Sequence, residues 1–108
     1  MLNPYWLVRW IKSLSDAEKL FRYYRDLGLP VAMFRNCFGD GYIVAALAAD
    51  NVHLESPNID VVESYVDNPY ELLRVRECLT YHKLIKHNKS FKRAIAIMLE
   101  PITDAETF

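Results

Sequence analysis

The cysteines and histidines of this 108-residue sequence, the types that most often ligate transition metals, are five: Cys37, His53, Cys78, His82 and His87. Compact metal sites draw ligands from closely spaced pairs, and these five are not paired in that way. His82 and His87 lie five residues apart and would point to different faces of a helix. His82 falls on an apolar stripe, where a hydrogen-bonded core histidine is the expected role. No Gly-rich phosphate loop, nucleophile elbow or paired-carboxylate motif is present, and Gly39-Asp40-Gly41 is too short to cradle a phosphate and suits a hairpin turn. The residues with reactive chemistry therefore predict a protein that is not an enzyme, with no catalytic residue, no metal and no cofactor.

The charged residues carry a clearer pattern. Net charge is −1, but residues 1–35 sum to +3, residues 36–73 contain no Lys or Arg and sum to −7, residues 74–93 sum to +6, and residues 94–108 to −3. Near-neutrality is a cancellation between blocks, and what it does in space depends on which blocks the fold brings together. A hydrophobic content of 52% with 25% charged residues places the chain among ordinary globular domains and excludes disordered and collagen-like classes.

The elements that must position these groups can be read from periodicity. The run Tyr5-Trp6-Leu7-Val8-Arg9-Trp10-Ile11 is a strand by composition. Ser15-Asp16-Ala17-Glu18 has the form of a capping box, and Ala17, Leu20, Phe21, Tyr24 and Leu27 follow at helical spacing until Gly28 and Pro30 end the helix. Val31–Phe38 and Tyr42–Ala49 read as strands joined by the Gly39-Asp40-Gly41 turn. Residues 50–68 contain ordered-looking apolar positions; a short helical turn from Asp60 is the preferred reading, with a strand over Val61–Val66 as the competitor. Asn68-Pro69 is a strong helix start, with the helix continuing to about His87. The break at Asn88-Lys89-Ser90, which also matches a glycosylation sequon, precedes a last strand over Phe91–Leu99.

Strand, helix, strand, strand, helix, strand is the order of the ferredoxin-like βαββαβ two-layer sandwich, a four-stranded antiparallel sheet with two helices on one face. The expectation is a single α+β domain over residues 1–100 with a short acidic tail over 101–108. One feature sits badly with two layers. The strands are apolar on both faces, whereas an open sheet face should alternate apolar and polar residues; residues 50–68, the tail or another chain must cover the second face.

The second helix has two apolar stripes. One, with Leu72, Val75, Cys78, Leu79, His82 and Ile85, suits a sheet; the other, with Tyr70, Leu73, Glu77, Tyr81 and Leu84, repeats at seven residues and suits a partner. With Arg74 beside it, this second stripe is the candidate contact surface: Tyr70, Leu73, Arg74, Glu77, Tyr81 and Leu84. The surrounding cations favour a partner with an acidic rim. The functional expectation is a small protein-binding regulator, inhibitor or accessory subunit acting on another protein, or on itself as a homodimer.

An alternative is a module for RNA or single-stranded DNA. Some domains of this architecture stack bases on aromatics of the first and third strands, and Trp6, Trp10 and Tyr42 lie on those strands, with Lys83, Lys86, Lys89 and Lys92 as phosphate contacts. Asp40 and the Ala45-Ala46-Leu47 run depart from the aromatic spacing of such modules. The aromatic first strand and capped helix also resemble the opening of the N-terminal domain of NusG-like transcription factors, over roughly the first third of the chain and without a diagnostic motif. No signal peptide or membrane span is legible, and two cysteines are too few for a disulfide framework, so the expected location is cytoplasmic, with no membrane partner.

Overall fold

A computed structural model describes residues 4–49, 59 and 61–94. The chain runs β1 (Pro4–Ile11), α1 (Leu14–Asp26), β2 (Val31–Arg35), β3 (Tyr42–Ala49), β4 (Val61–Val66), α2 (Pro69–Thr80) and β5 (Leu84–His87). A third helix, α3, is described from 89 to 94. The strands form one antiparallel sheet in the order β4-β1-β3-β2-β5.

Strand parity separates two cores. Leu7 and Ile11 of β1, Val31 and Met33 of β2, and Val44, Ala46 and Ala48 of β3 meet Ala17, Leu20, Phe21 and Tyr24 of α1. Their neighbours in sequence, Trp6, Val8, Ala32, Phe34, Ile43 and Ala45, face the other way and meet Val75 and Cys78 of α2 and Phe91 and Ala94 of α3. The central strands are apolar on both faces because helices cover both. This corrects the expected two-layer sandwich: there are five strands, not four, and α1 lies on one face while α2 and α3 share the other.

The local departures have physical causes. Residues 61–66 form a strand, as the competing reading had it, because Val61 and the run from Glu63 to Val66 find backbone partners along β1. The helix α2 ends at Thr80 instead of continuing to His87. A twelve-residue helix is about 18 Å long, close to the ~19 Å that separates the two outer strands of a five-stranded sheet. A continuous helix to His87 would overshoot β5. The chain is turned by His82 at a φ of 58°, and Arg35 N–H then donates to the Lys83 carbonyl at 2.8 Å, starting β5 against β2.

The expected last strand over Phe91–Leu99 is helical in its first half, and residues 95–99 lie outside those described, as does the 101–108 tail. Asn88 caps this helix by accepting the Phe91 N–H at 3.1 Å. The cap of α1 is Ser13 rather than Ser15: its Oγ accepts the Asp16 N–H, and Ser15 lies inside the helix. Gly28, at a φ of 80°, ends the helix as read. β2 stops at Arg35, short of Phe38, because Asn36 organises the turn that follows, accepting the Phe38 N–H on its side chain and donating to the Asp40 carbonyl.

Candidate partner-binding surface

The outer side of α2 follows from its capping and its inner face. Asn68 accepts the N–H groups of Tyr70 and Glu71 and Pro69 occupies the first turn, which fixes the helix phase. With Val75 and Cys78 turned to the sheet, Tyr70, Leu73, Glu77 and Tyr81 are left in solvent. Tyr70 is 74% exposed and Tyr81 62%. They lie at three- and four-residue spacings, which on a helix is one continuous stripe. Leu84 does not belong to it: it sits in β5 and packs on the core beneath α2.

Arg74 anchors the middle of the stripe. Its guanidinium lies 5.4 Å from the ring centre of Trp10 and 5.4 Å from that of Phe38, and its Nε is 3.8 Å from Glu71 Oε1. A cation over an aromatic face gains roughly 0.5–1 kcal/mol at exposed sites, so two rings give this arginine a fixed place. Phe38, 48% exposed, thereby joins the α2 stripe although it comes from the β2–β3 loop. Sequence reasoning did not single out Phe38, because only the fold brings residues 38 and 74 together.

The second unforeseen feature is covalent. Cys37 and Cys78, read as an unpaired couple, are disulfide-bonded with their Cα atoms 5.4 Å apart. The bond ties the β2–β3 loop to α2 directly beside the Arg74 cluster, and the Cys37 N–H also donates to Cys78 Sγ at 3.3 Å. Nothing in the spacing of 37 and 78 signals this pairing; it follows from the crossing of α2 over β2. Beneath α2, the indole nitrogens of Trp6 and Trp10 and Glu71 Oε2 are buried and make no hydrogen bond among the described residues.

The residues of the nucleic-acid reading are scattered. Trp6 is buried under α2 and α3, edge-on to Phe91 at 6.2 Å between ring centres. Trp10 is half-buried on the same face beneath Arg74, and Tyr42 packs on the opposite, α1 face. The three share no platform. Lys86 points to the α1 side, 3.6 Å from Glu18 and 5.4 Å from the Phe21 ring centre. Lys83 is exposed before β5, and Lys89 and Lys92 are exposed on α3 with Arg93.

His82 is exposed in its left-handed turn, and His87 Nδ1 lies 3.0 Å from the Asn88 carbonyl. His53 falls outside the described residues. No group of three His, Cys, Asp or Glu side chains among the described residues could hold a metal ion, and no helix among them is long and apolar enough to cross a membrane. On the α1 face, burial pushes the Tyr24 hydroxyl above its ordinary pKa, offset in part by the Arg9 guanidinium, with Tyr23 and Tyr5 adding to the rise. The Asn88 side chain of the sequon is committed to the fold, accepting from Val31 N–H and Phe91 N–H and donating to the Leu29 carbonyl at 2.6 Å. Comparison with protein-family models, curated proteins and solved structures finds no match to this chain.

Proposed function

We propose that this chain is a protein-binding domain, acting as a regulator, inhibitor or accessory subunit through the outer face of α2. The observation that carries the reading is the exposed stripe Tyr70-Leu73-Arg74-Glu77-Tyr81 with Phe38 leaning on Arg74. Tyrosine and arginine are enriched in interface hot spots, and tyrosine offers a large, rigid contact area at small entropic cost. The helix is already supplied with an inner face, and its outer tyrosines, Tyr70 and Tyr81, are exposed. By contrast, the outer face of α1 is built from Glu18, Lys19, Arg22 and Arg25, the composition of a solvated surface.

The test is site-specific photocrosslinking in the native cell with a photoreactive phenylalanine at position 70 or 81, and at position 19 on α1 as control. A discrete adduct from 70 and 81, absent from 19 and abolished by Leu73→Asp, is the expected result. Equal labelling from all three positions removes the reading. A second reading keeps nucleic acid, with contacts along α3 rather than the sheet. It is favoured by one observation: Lys89, Lys92 and Arg93 are exposed together on α3, with Lys83 exposed before β5. Retention on single-stranded RNA that weakens steeply with salt would support it.

A further inference from the structure

We propose that α2 is a strap held to the sheet by the Cys37–Cys78 bond more than by packing, so that reduction of this disulfide loosens α2 while the rest of the fold persists. The clasp stands on geometry alone; its consequence for partner binding rests on the function proposed above.

Three independent features converge on α2. Its inner face is thin. Where α1 buries Ala17, Leu20, Phe21 and Tyr24, α2 buries Val75, Cys78 and the carboxylate-bearing Glu71, with Leu72 and Leu79 half-buried at the margins. Second, the layer under α2 holds polar atoms without hydrogen bonds among the described residues: Glu71 Oε2 and, beneath Arg74, Trp10 Nε1. Burial of such atoms opposes docking, and water reaching them on opening would satisfy them. Third, the two non-glycine residues with positive φ among the described residues flank this helix: Asp67 at 48° and His82 at 58°. Backbone held in that region is strained for a side-chain-bearing residue, and here the strain sits at both hinges of one element.

The hinges are themselves anchored. Asp67 N–H donates to the Trp6 carbonyl and its Oδ1 accepts the Trp6 N–H at 2.7 Å, while the Lys83 carbonyl is held by Arg35 N–H. α2 can therefore lift from the sheet without β4 or β5 leaving it. Phe91 of α3 packs on Trp6 and Phe34 without the help of α2, so that part of the face stays closed.

The chemistry is thiol–disulfide exchange with a dithiol reductant. A reductant thiolate attacks Cys37 Sγ, the half-buried partner, and the Cys37–Cys78 S–S bond breaks as a mixed disulfide forms. Negative charge develops on Cys78 Sγ, at which the Cys37 N–H is already directed; a donor so placed stabilises a leaving thiolate. The reductant's second thiol, losing its proton, then displaces Cys37. The products are two cysteine thiols and the cyclic disulfide of the reductant, with two electrons passed to the protein.

Hydrogen exchange of the full chain, oxidised and after dithiothreitol, tests the clasp. After reduction, amides over 72–80 are expected to lose at least tenfold more protection than those of α1 and β3, which open only with the whole fold. Unchanged exchange over 72–80, or equal acceleration in all elements, overturns the proposal. Glu71→Leu removes the carboxylate whose Oε2 has no hydrogen bond among the described residues, along with its pairing to Arg74, and should slow α2 exchange in the reduced protein severalfold; no slowing refutes the thin-interface argument. Crosslinking from position 70 separates the two readings. If exchange responds as stated but no discrete adduct forms from position 70 in either redox state, the clasp stands and the α2 contact surface does not; an adduct equal in both states removes the redox control of binding.

Discussion

Asn88 offers the sharpest test of how the two faces of the sheet are tied together. Its Oδ1 accepts the Val31 N–H at 3.1 Å and the Phe91 N–H at 3.1 Å, and its Nδ2 donates to the Leu29 carbonyl at 2.6 Å. One amide thus caps α3 and fixes the chain where it enters β2. In Asn88→Ala the helix loses its cap, at about 1 kcal/mol. The Val31 N–H and the Leu29 carbonyl, both in buried residues, lose partners at roughly 1 kcal/mol or more each. The expected total is about 3 kcal/mol, which for a chain of this length lowers Tm by about 15 °C. Asn88→Ser separates the contributions, because a serine can cap Phe91 but is too short to reach Leu29, and should recover about 1 kcal/mol. Urea unfolding followed by tryptophan fluorescence reads both variants. A cost below about 1 kcal/mol for alanine, or identical costs for alanine and serine, would refute the assignment of Asn88 as a tether.

Gly41→Ala should destabilise by about 3 kcal/mol or more, since its φ is +89° and an added Cβ would lie 2.5 Å from the Ile11 carbonyl oxygen, a backbone atom that cannot yield. Gly39→Ala, whose Cβ would meet nothing nearer than Asn36 Nδ2 at 3.7 Å, should stay within about 0.5 kcal/mol; thermal melts of the pair check the contrast. The double variant Cys37→Ser with Cys78→Ser opens a loop of sequence separation 41 and should lower the unfolding free energy by about 4 kcal/mol on the chain-entropy account, so an unchanged urea midpoint would contradict the bond. Burial raises the folded-state pKa of Tyr24 above its unfolded value. The neutral phenol's stabilisation is therefore complete below the unfolded pKa of about 10 and is lost as pH rises through the folded one. Stability measured against alkaline pH should fall less steeply in Tyr24→Phe than in the parent, and parallel curves would show that Tyr24 is not the titrating group.

What the sequence revealed and what it hid divide along the range of the interactions. Local signals were legible: the β-branched and aromatic runs of β1 and β3, the apolar stripe of α1 ending at Gly28, and the Asn68-Pro69 start of α2 all rest on neighbours within a few residues. The end of α2 was hidden because Tyr81, Leu84 and Ile85 continue a helical apolar pattern, and the competing term is long-range pairing of Leu84 and Lys86 with β2. Residues 91–94 carry a composition that suits a strand as well as a helix; the Asn88 cap, made with residues 29 and 31, decides between them. The exposed stripe of α2 was half legible. Tyr70, Leu73, Glu77 and Tyr81 are exposed as their spacing implied, but Phe38, Trp10 and Cys37 reach α2 through the fold alone. The anomaly of strands apolar on both faces was visible from the start, and its resolution needed the crossing of α2.

That crossing also narrows where a partner can sit. Both faces of the central strands are covered. Each edge strand is interrupted by one extra residue: Trp10 and Ile11 of β1 face Glu63 and Val61 with Val62 between, and Met33 and Phe34 of β2 face Lys86 and Leu84 with Ile85 between. Bulges twist an edge away from further strand pairing, a common protection against edge-to-edge association, so neither edge offers a regular template for an added strand. Among the described residues the outer helix faces remain, with Lys89, Lys92 and Arg93 exposed on α3. α1 presents charged side chains of both signs at helical neighbours, which salt screens and water solvates. α2 presents two tyrosines, a leucine and an arginine fixed between aromatic rings, and its seating on the sheet depends on a bond that a reductant can open. The surface best composed for contact is thus carried by a helix that buries fewer apolar side chains than α1, and a change in the redox state of Cys37 and Cys78 acts directly on that helix.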